Sequence, residues 1–311
     1  MTNILLKNVY VVNLERSKDR LQHIDDNLKK FGIKYQRFNA VDGGKLPMSE
    51  IDNNTTLMCR YLFCTRSIIG CAMSHIALWK MIAESPDKWH LILEDDAEFT
   101  NETIKFLNEL SNTTMIKNED NIIISLVCTS LLCGGPSVAC TSAIDGNKKN
   151  NVISETKHDL LIEPVFPLST AGYLITKNTA KKLYDYFMEN KINYHIDTQI
   201  SWLVSKLGIK FYTAKNKIIN LSTDSCSTTV GSGYKPLYLL NKIIQYFNLC
   251  SMSSMLECPY ATFNLSSVKI TGYVLIFLLL LLLNVLFFGS VIIYIYLILE
   301  LSITIILTLL I

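Results

Sequence analysis

The opening forty residues constrain the fold most. Val9 to Leu14 (VYVVNL) is a β-branched run that reads as a buried strand. Ser17 is placed to cap a helix, in which Leu21, Ile24, Leu28 and Phe31 recur at helical spacing with charges between them. Gly32 sits where a helix ends on a left-handed residue, and Ile33 to Phe38 reads as a second strand. Strand, helix, strand within so short a stretch predicts an α/β sheet.

The later pattern is consistent with that start. Asn39 to Ser67 is polar and turn-rich and reads as a long loop; Gly70 to Glu84 has helical composition. Trp89 to Leu93, Asn121 to Val127, Ser169 to Thr176 and Lys210 to Thr213 read as strands. Thr100 or Asn101 caps a helix through Leu110. Further helices carry Ala180, Leu183, Tyr184 and Phe187, or follow His195-Ile196-Asp197 and end near Gly208. Cys128 to Leu160 is loop-like and gives no pattern. The Tyr and Phe residues read as core.

Charge and cysteine content narrow the function classes. With 29 basic and 27 acidic residues, the net charge of +2 leaves no footprint for nucleic acid. The nine cysteines include no CxxC pair, which argues against a zinc ribbon. Their odd number and irregular spacing suit buried free thiols in a reducing compartment, without excluding a disulfide.

Half the residues are hydrophobic, and the excess lies at the C-terminus. Gly272 to Leu299 contains no charged residue. As helix, 270–311 would be about 60 Å long at ~1.5 Å per residue, against a hydrocarbon thickness of about 30 Å. The expectation is a membrane segment of one or two spans over 269–311, after a catalytic domain at 1–230 and a linker at 231–268. Lys242 and Lys269 place the flank on the cytoplasmic side, with a lumenal orientation as the alternative.

Leu91-Ile92-Leu93-Glu94-Asp95-Asp96 carries the chemistry. An apolar strand delivers adjacent carboxylates to a strand end, where open α/β sheets bind ligands. Carboxylates there suit Mn²⁺ or Mg²⁺ beside phosphates, and period-two alternation sends Glu94 and Asp96 to one side. The same residues would also serve as a solvated turn before the helix at Thr100.

Five motifs in order then stand out: Val12-Asn13-Leu14 with Arg16 and Arg20 behind it, Ala40-Val41-Asp42-Gly43, Gly70-Cys71-Ala72-Met73-Ser74-His75, Leu93-Glu94-Asp95-Asp96, and Gly172-Tyr173-Leu174-Ile175 followed by Ala180, Leu183 and His195-Ile196-Asp197. Over residues 8 to 225 this order resembles glycosyltransferase family 25, the lipooligosaccharide and procollagen galactosyltransferase type. The resemblance implies a GT-A-like fold, a Rossmann-type mixed sheet flanked by helices. It also implies a UDP-sugar donor, inversion at the anomeric carbon, and a hexose (galactose or glucose) passed to a glycan, glycolipid or protein hydroxyl. The alternative is an inactive, membrane-anchored binding protein of the same fold.

Residue roles follow from the resemblance. Val12, Asn13, Leu14 and Asp42 are expected at the base and ribose, and Arg16 and Arg20 at the diphosphate. Ser74 and His75 are expected on the donor side of a helix. Asp96 and Glu94 are expected at the metal, with Glu94 also near the ribose, while Asp95 supports the loop from the donor side. Asp197 is the candidate base, with His195 its competitor; a helix-capping carboxylate is the other reading of Asp197.

Overall fold

The computed structural model describes residues 3–57, 59–60, 64–127, 160–164, 169–216 and 218–221, a strand pair at 259–262 and 269–271, and scattered helical positions between 279 and 302. Its centre is a seven-stranded mixed sheet in the order β2-β1-β3-β7-β5-β8-β6. The strands are β1 (Val9–Asn13), β2 (Gln36–Asn39), β3 (Trp89–Glu94), β5 (Ile122–Ser125), β6 (Leu161–Ile162), β7 (Gly172–Thr176) and β8 (Lys210–Ala214). β1 pairs in parallel with β2 on one side and β3 on the other. β7 runs antiparallel between β3 and β5. The short β4 (Ala97–Phe99) pairs with β9 (Ile219–Leu221) outside this sheet. The mixed, helix-flanked sheet matches the α/β expectation.

Two cores follow from strand alternation. Tyr10, Val12, Ile92, Tyr173 and Ile175 point to one face, covered by α3 (Arg66–Ala83), α6 (Lys177–Glu189) and α7 (Ile196–Lys206). Val9, Val11, Leu91, Leu93 and Leu174 point to the other, covered by α1 (Lys18–Lys30), α4 (Asn101–Ser111) and α5 (Thr114–Asn118). Covering the sheet on both faces leaves its central strands β1 and β7 buried along their whole length, and they are correspondingly apolar except at their last residues, Asn13 and Thr176.

Local boundaries have local causes. At the end of α1, Gly32 has φ +67°. Its N–H reaches Lys29 O at 3.0 Å, and Ile33 N–H reaches Leu28 O at 3.1 Å. This left-handed cap holds Ile33 against the helix end, so β2 starts at Gln36 and not at Ile33. Thr100 caps α4 with the reciprocal Thr100–Thr103 hydrogen bonds of a capping box. Ser17 stands at the N-cap of α1 but makes no capping bond with its side chain. The expected loop at 39–67 contains a short helix, α2 (Met48–Asn54), introduced by Pro47.

The C-terminal expectation requires correction. Among the described residues no helix is long and apolar enough to cross a membrane. Where the span was expected to begin, β11 (Lys269–Thr271) is a strand paired antiparallel with β10 (Pro259–Thr262). Its backbone bonds run between strands, whereas a span bonds within one helix. Hydropathy reports how apolar a segment is and not how its backbone is paired. The C-terminal membrane segment and the C-terminally anchored location are therefore not supported. Most of 272–311 and nearly all of 128–160 lie outside the described residues. The cysteine pattern left room for a disulfide, and Cys59 and Cys64 form one.

Candidate functional site

The chain leaves β1 toward β2 on one side, and β3 lies on the other, so a crevice opens at their carboxyl ends. This is the switch point at which α/β sheets bind ligands. The cleft there spans about 660 Å³, counting the solvent at its open side, and is walled by the β1–α1 turn (Val12, Leu14, Arg16, Arg20), the loop at 40–43, one face of α3 (Ser67, Cys71, Ser74, His75) and the β3 end (Glu94, Asp95, Asp96). Residues far apart in sequence thus share one wall-to-wall site.

Two glycines let the loop reach the helix. A Cβ on Gly43 would lie 1.7 Å from Arg66 O, and one on Gly70 would lie 2.6 Å from both Gly43 N and Val41 O. Backbone meets backbone there. Ser74 fastens the contact: its hydroxyl accepts from Val41 N–H at 2.8 Å and donates to Gly70 O at 2.6 Å. This geometry gives Ala40-Val41-Asp42-Gly43 and the Gly70…Ser74 spacing a common physical reason. It makes Ser74 a fastener of the cleft wall.

The floor is a buried hydrogen-bonded chain. Glu94 closes β3 on the α3 face, two residues beyond Ile92. Its Oε1 accepts from Thr170 Oγ1 at 2.6 Å and lies 3.3 Å from His75 Nε2. His75 Nδ1 lies 2.9 Å from Tyr173 Oη, which accepts from Trp79 Nε1 at 2.9 Å. His75 is wholly buried. Burial opposes the Glu94 carboxylate, yet the bonds from His75 and Thr170, with the His75 and Arg20 charges, outweigh it and lower its pKa.

The mouth is different. Arg20 lies 2.5 Å from Asp95 Oδ1 and 3.2 Å from Asp96 Oδ2, bridging the two. Asp95 also accepts from Asn13 Nδ2 at 2.7 Å. Asp96 Oδ1 is buried without a hydrogen-bond partner among the described residues. Burial, then the neighbouring Glu94 charge, pushes the Asp96 carboxyl up to about 7 against the pull of Arg20. Asp95 is raised by burial too, against Arg20 and Asn13. Arg16 pairs with Asp42, whose other oxygen accepts from Gly44 N–H at 3.1 Å. Four carboxylates line the cleft against two guanidiniums, an excess of two negative charges when all are ionised. That imbalance and the orphaned Asp96 oxygen fit a divalent cation.

The remaining expected residues sit elsewhere. Asn13 lies on the opposite face of β1 from Val12. Its Nδ2 binds Asp95 and Ser17 O, and its Oδ1 accepts from Arg37 Nε at 3.0 Å, so it braces Asp95 from behind. Asp197 stands in the first turn of α7 and lines a smaller apolar pocket with Ser169, Thr170 and Tyr173. Its Oδ2 accepts from Ser169 N–H at 3.1 Å and its Oδ1 from Thr198 N–H at 2.6 Å. Ser169 has φ +79°, so Asp197 holds a strained turn that aims Thr170 at Glu94. His195 is the N-cap residue of α7 and lines neither pocket. Thr170 and Trp79 escaped the sequence reading, and Cys71 and Tyr173, though inside its motifs, were given no role in the site. Tyr173 reads as core because it is core; only its hydroxyl, reaching a residue 98 positions away, joins it to the site.

Comparison with known proteins fits this geometry. Residues 6–200 match the model of glycosyltransferase family 25 (LPS biosynthesis protein). The chain belongs to glycosyltransferase family 25. It is 29% identical over 169 residues to the immunodominant envelope protein p35 of fowlpox virus, covering 51% of this chain and 45% of that one. Human procollagen galactosyltransferase 2 is 25% identical over 182 residues, 56% of this chain and 27% of the relative. A glycosyltransferase 25 family member of Drosophila pseudoobscura pseudoobscura is 30% identical over 108 residues, 32% and 17% of the two chains. The chain thus spans less than half the length of these relatives.

Proposed function

We propose that this family 25 chain transfers a hexose, galactose or glucose, from a UDP-sugar to a hydroxyl of a glycan, glycolipid or protein acceptor, with inversion. The supporting observation is the cleft itself. Two guanidiniums from the β1–α1 turn face carboxylates beyond β3, at the switch point of the sheet. The galactosyltransferase named among the relatives supports the sugar class.

In this reading Val12, Leu14 and Asp42 contact the nucleoside, and Arg16 and Arg20 turn from their carboxylates to the diphosphate oxygens. Asp96 and Glu94 hold Mn²⁺ or Mg²⁺. When bound, the ion offsets the charge of departing UDP. Asp197 takes the proton of the acceptor hydroxyl as that oxygen attacks the anomeric carbon; for this the acceptor must enter by the Thr170 side.

A UDP-release assay with and without Mn²⁺ tests the proposal. The expected result is ion-dependent release in the wild type and its loss in Asp96→Asn and Asp197→Asn. No release with any hexose donor would overturn it. A second reading, binding without turnover, draws on the fowlpox relative, which is named an immunodominant envelope protein. It expects a UDP-sugar to bind by calorimetry with no UDP released.

A further inference from the structure

We propose that Cys71, His75 and Glu94 form a binding site for a thiophilic divalent ion such as Zn²⁺ at the floor of the cleft. Cys71 and His75 are four apart on α3, so their side chains share one helix face. Glu94 meets them from β3. One ligand atom from each lies within 4.8 Å of the other two, the one such group of three among the described residues. His75 Nε2 and Glu94 Oε1 are 3.3 Å apart. With Zn–N and Zn–O bonds of about 2.0 Å, the nitrogen–oxygen edge of a tetrahedral site is also about 3.3 Å.

The donor set selects the ion. Sulfur, imidazole nitrogen and one carboxylate suit Zn²⁺, whereas Mg²⁺ takes oxygen ligands. Three protein ligands leave a fourth position open toward the cleft. The outer support is present as well. Tyr173 Oη lies 2.9 Å from the other nitrogen of His75 and is itself held by Trp79. Such a partner fixes the orientation of a ligating imidazole. The local excess of carboxylates over guanidiniums favours a dication on the floor. This site differs from the expected Asp96–Glu94 cation site in its sulfur and nitrogen ligands. It shares Glu94 with that site, so an ion on the floor competes with one at the mouth.

The test reads absorption and so does not depend on sugar transfer. Co²⁺ is added to the metal-free full chain in a thiol-free buffer after prior reduction. The expected result is a sulfur-to-cobalt charge-transfer band that Zn²⁺ bleaches and Mg²⁺ does not. Cys71→Ser should remove the band and Asp96→Asn should keep it. Tyr173→Phe should weaken Co²⁺ binding by about 10–100-fold. Should Cys71→Ser fail to fold, the wild type carries the test: Zn²⁺ should protect Cys71 from iodoacetamide, read by peptide mapping. No band in the wild type, a band that survives Cys71→Ser, or Cys71 alkylated equally with and without Zn²⁺ would each overturn the proposal.

Discussion

The floor and the mouth of the cleft are made of similar groups and differ in how far those groups are satisfied. On the floor, Trp79, Tyr173, His75 and Thr170 converge on Glu94, and its carboxyl titrates below its usual range. At the mouth, two residues later in sequence, Asp96 has one buried oxygen with no partner and a carboxyl pushed up to about 7. Two carboxyls two residues apart are therefore shifted in opposite directions by what surrounds them. A satisfied network fixes geometry, while an unsatisfied one marks where an added charge or donor gains most.

The largest expected effect comes from removing the unsatisfied group. Asp96→Asn should lower UDP release on the order of 100-fold, as loss of a stabiliser of developing charge does, while the thermal midpoint of the metal-free protein stays the same or rises. A fall in both would erase the distinction, making Asp96 as structural as the floor. Gly43→Ala drives a Cβ into Arg66 O and should cost about 1–3 kcal/mol of stability by overpacking. Denaturant unfolding measures it, and an unchanged midpoint would show that the loop does not need the glycine contact.

Tyr173→Phe tests the floor alone. It strips the partner from Trp79 Nε1 and His75 Nδ1, and should cost about 1–3 kcal/mol. Chemical denaturation of the variant checks this; no loss would mean that the floor is less organised than its bonds imply.

The mouth makes a pH prediction of definite sign. The folded-state pKa of Asp96 is raised from 3.8 to about 7, so the folded state holds that proton more tightly than the unfolded chain. Its contribution is fully favourable below about pH 4 and is lost as pH rises through about 7. Melting curves of the metal-free protein from pH 4 to 8 should show this decline on top of the behaviour of the other carboxylates, and Asp96→Asn should flatten it. A profile that Asp96→Asn leaves unaltered would mean that Asp96 is not the group whose pKa is raised at the mouth. The smallest effect is expected from Arg16→Ala. Arg16 is more than half exposed in its pair with Asp42, so stability should change by less than about 1 kcal/mol while the KM for the donor rises. A large stability loss would move Arg16 from the mouth's ligand-facing set into the framework.

The elements around this site were legible where one residue type has one local use. Gly32 ends α1, Thr100 caps α4, and β1 and β3 read as apolar runs of strand length. Leu93-Glu94-Asp95-Asp96 was legible as carboxylates at a strand end, because strand alternation is local. Where that alternation stops, so did the reading. Beyond Glu94 the chain turns into β4, so Glu94 meets His75 and Thr170 while Asp96 meets Arg20, although both carboxylates line the same cleft and feel each other's charge.

The sequence by itself determined the strand–helix–strand opening, the order of the five motifs and hence the family, since these rest on periodicity, capping and residue identity along the chain. Only the tertiary structure decided that Asn13 braces Asp95 from behind, that Gly43 and Gly70 touch, and that Tyr173 and Thr170 complete the floor. It also decided that 269–271 pairs as a strand. Each of these depends on which distant backbone a residue meets, and pairing across tens of residues leaves no period in the sequence to read.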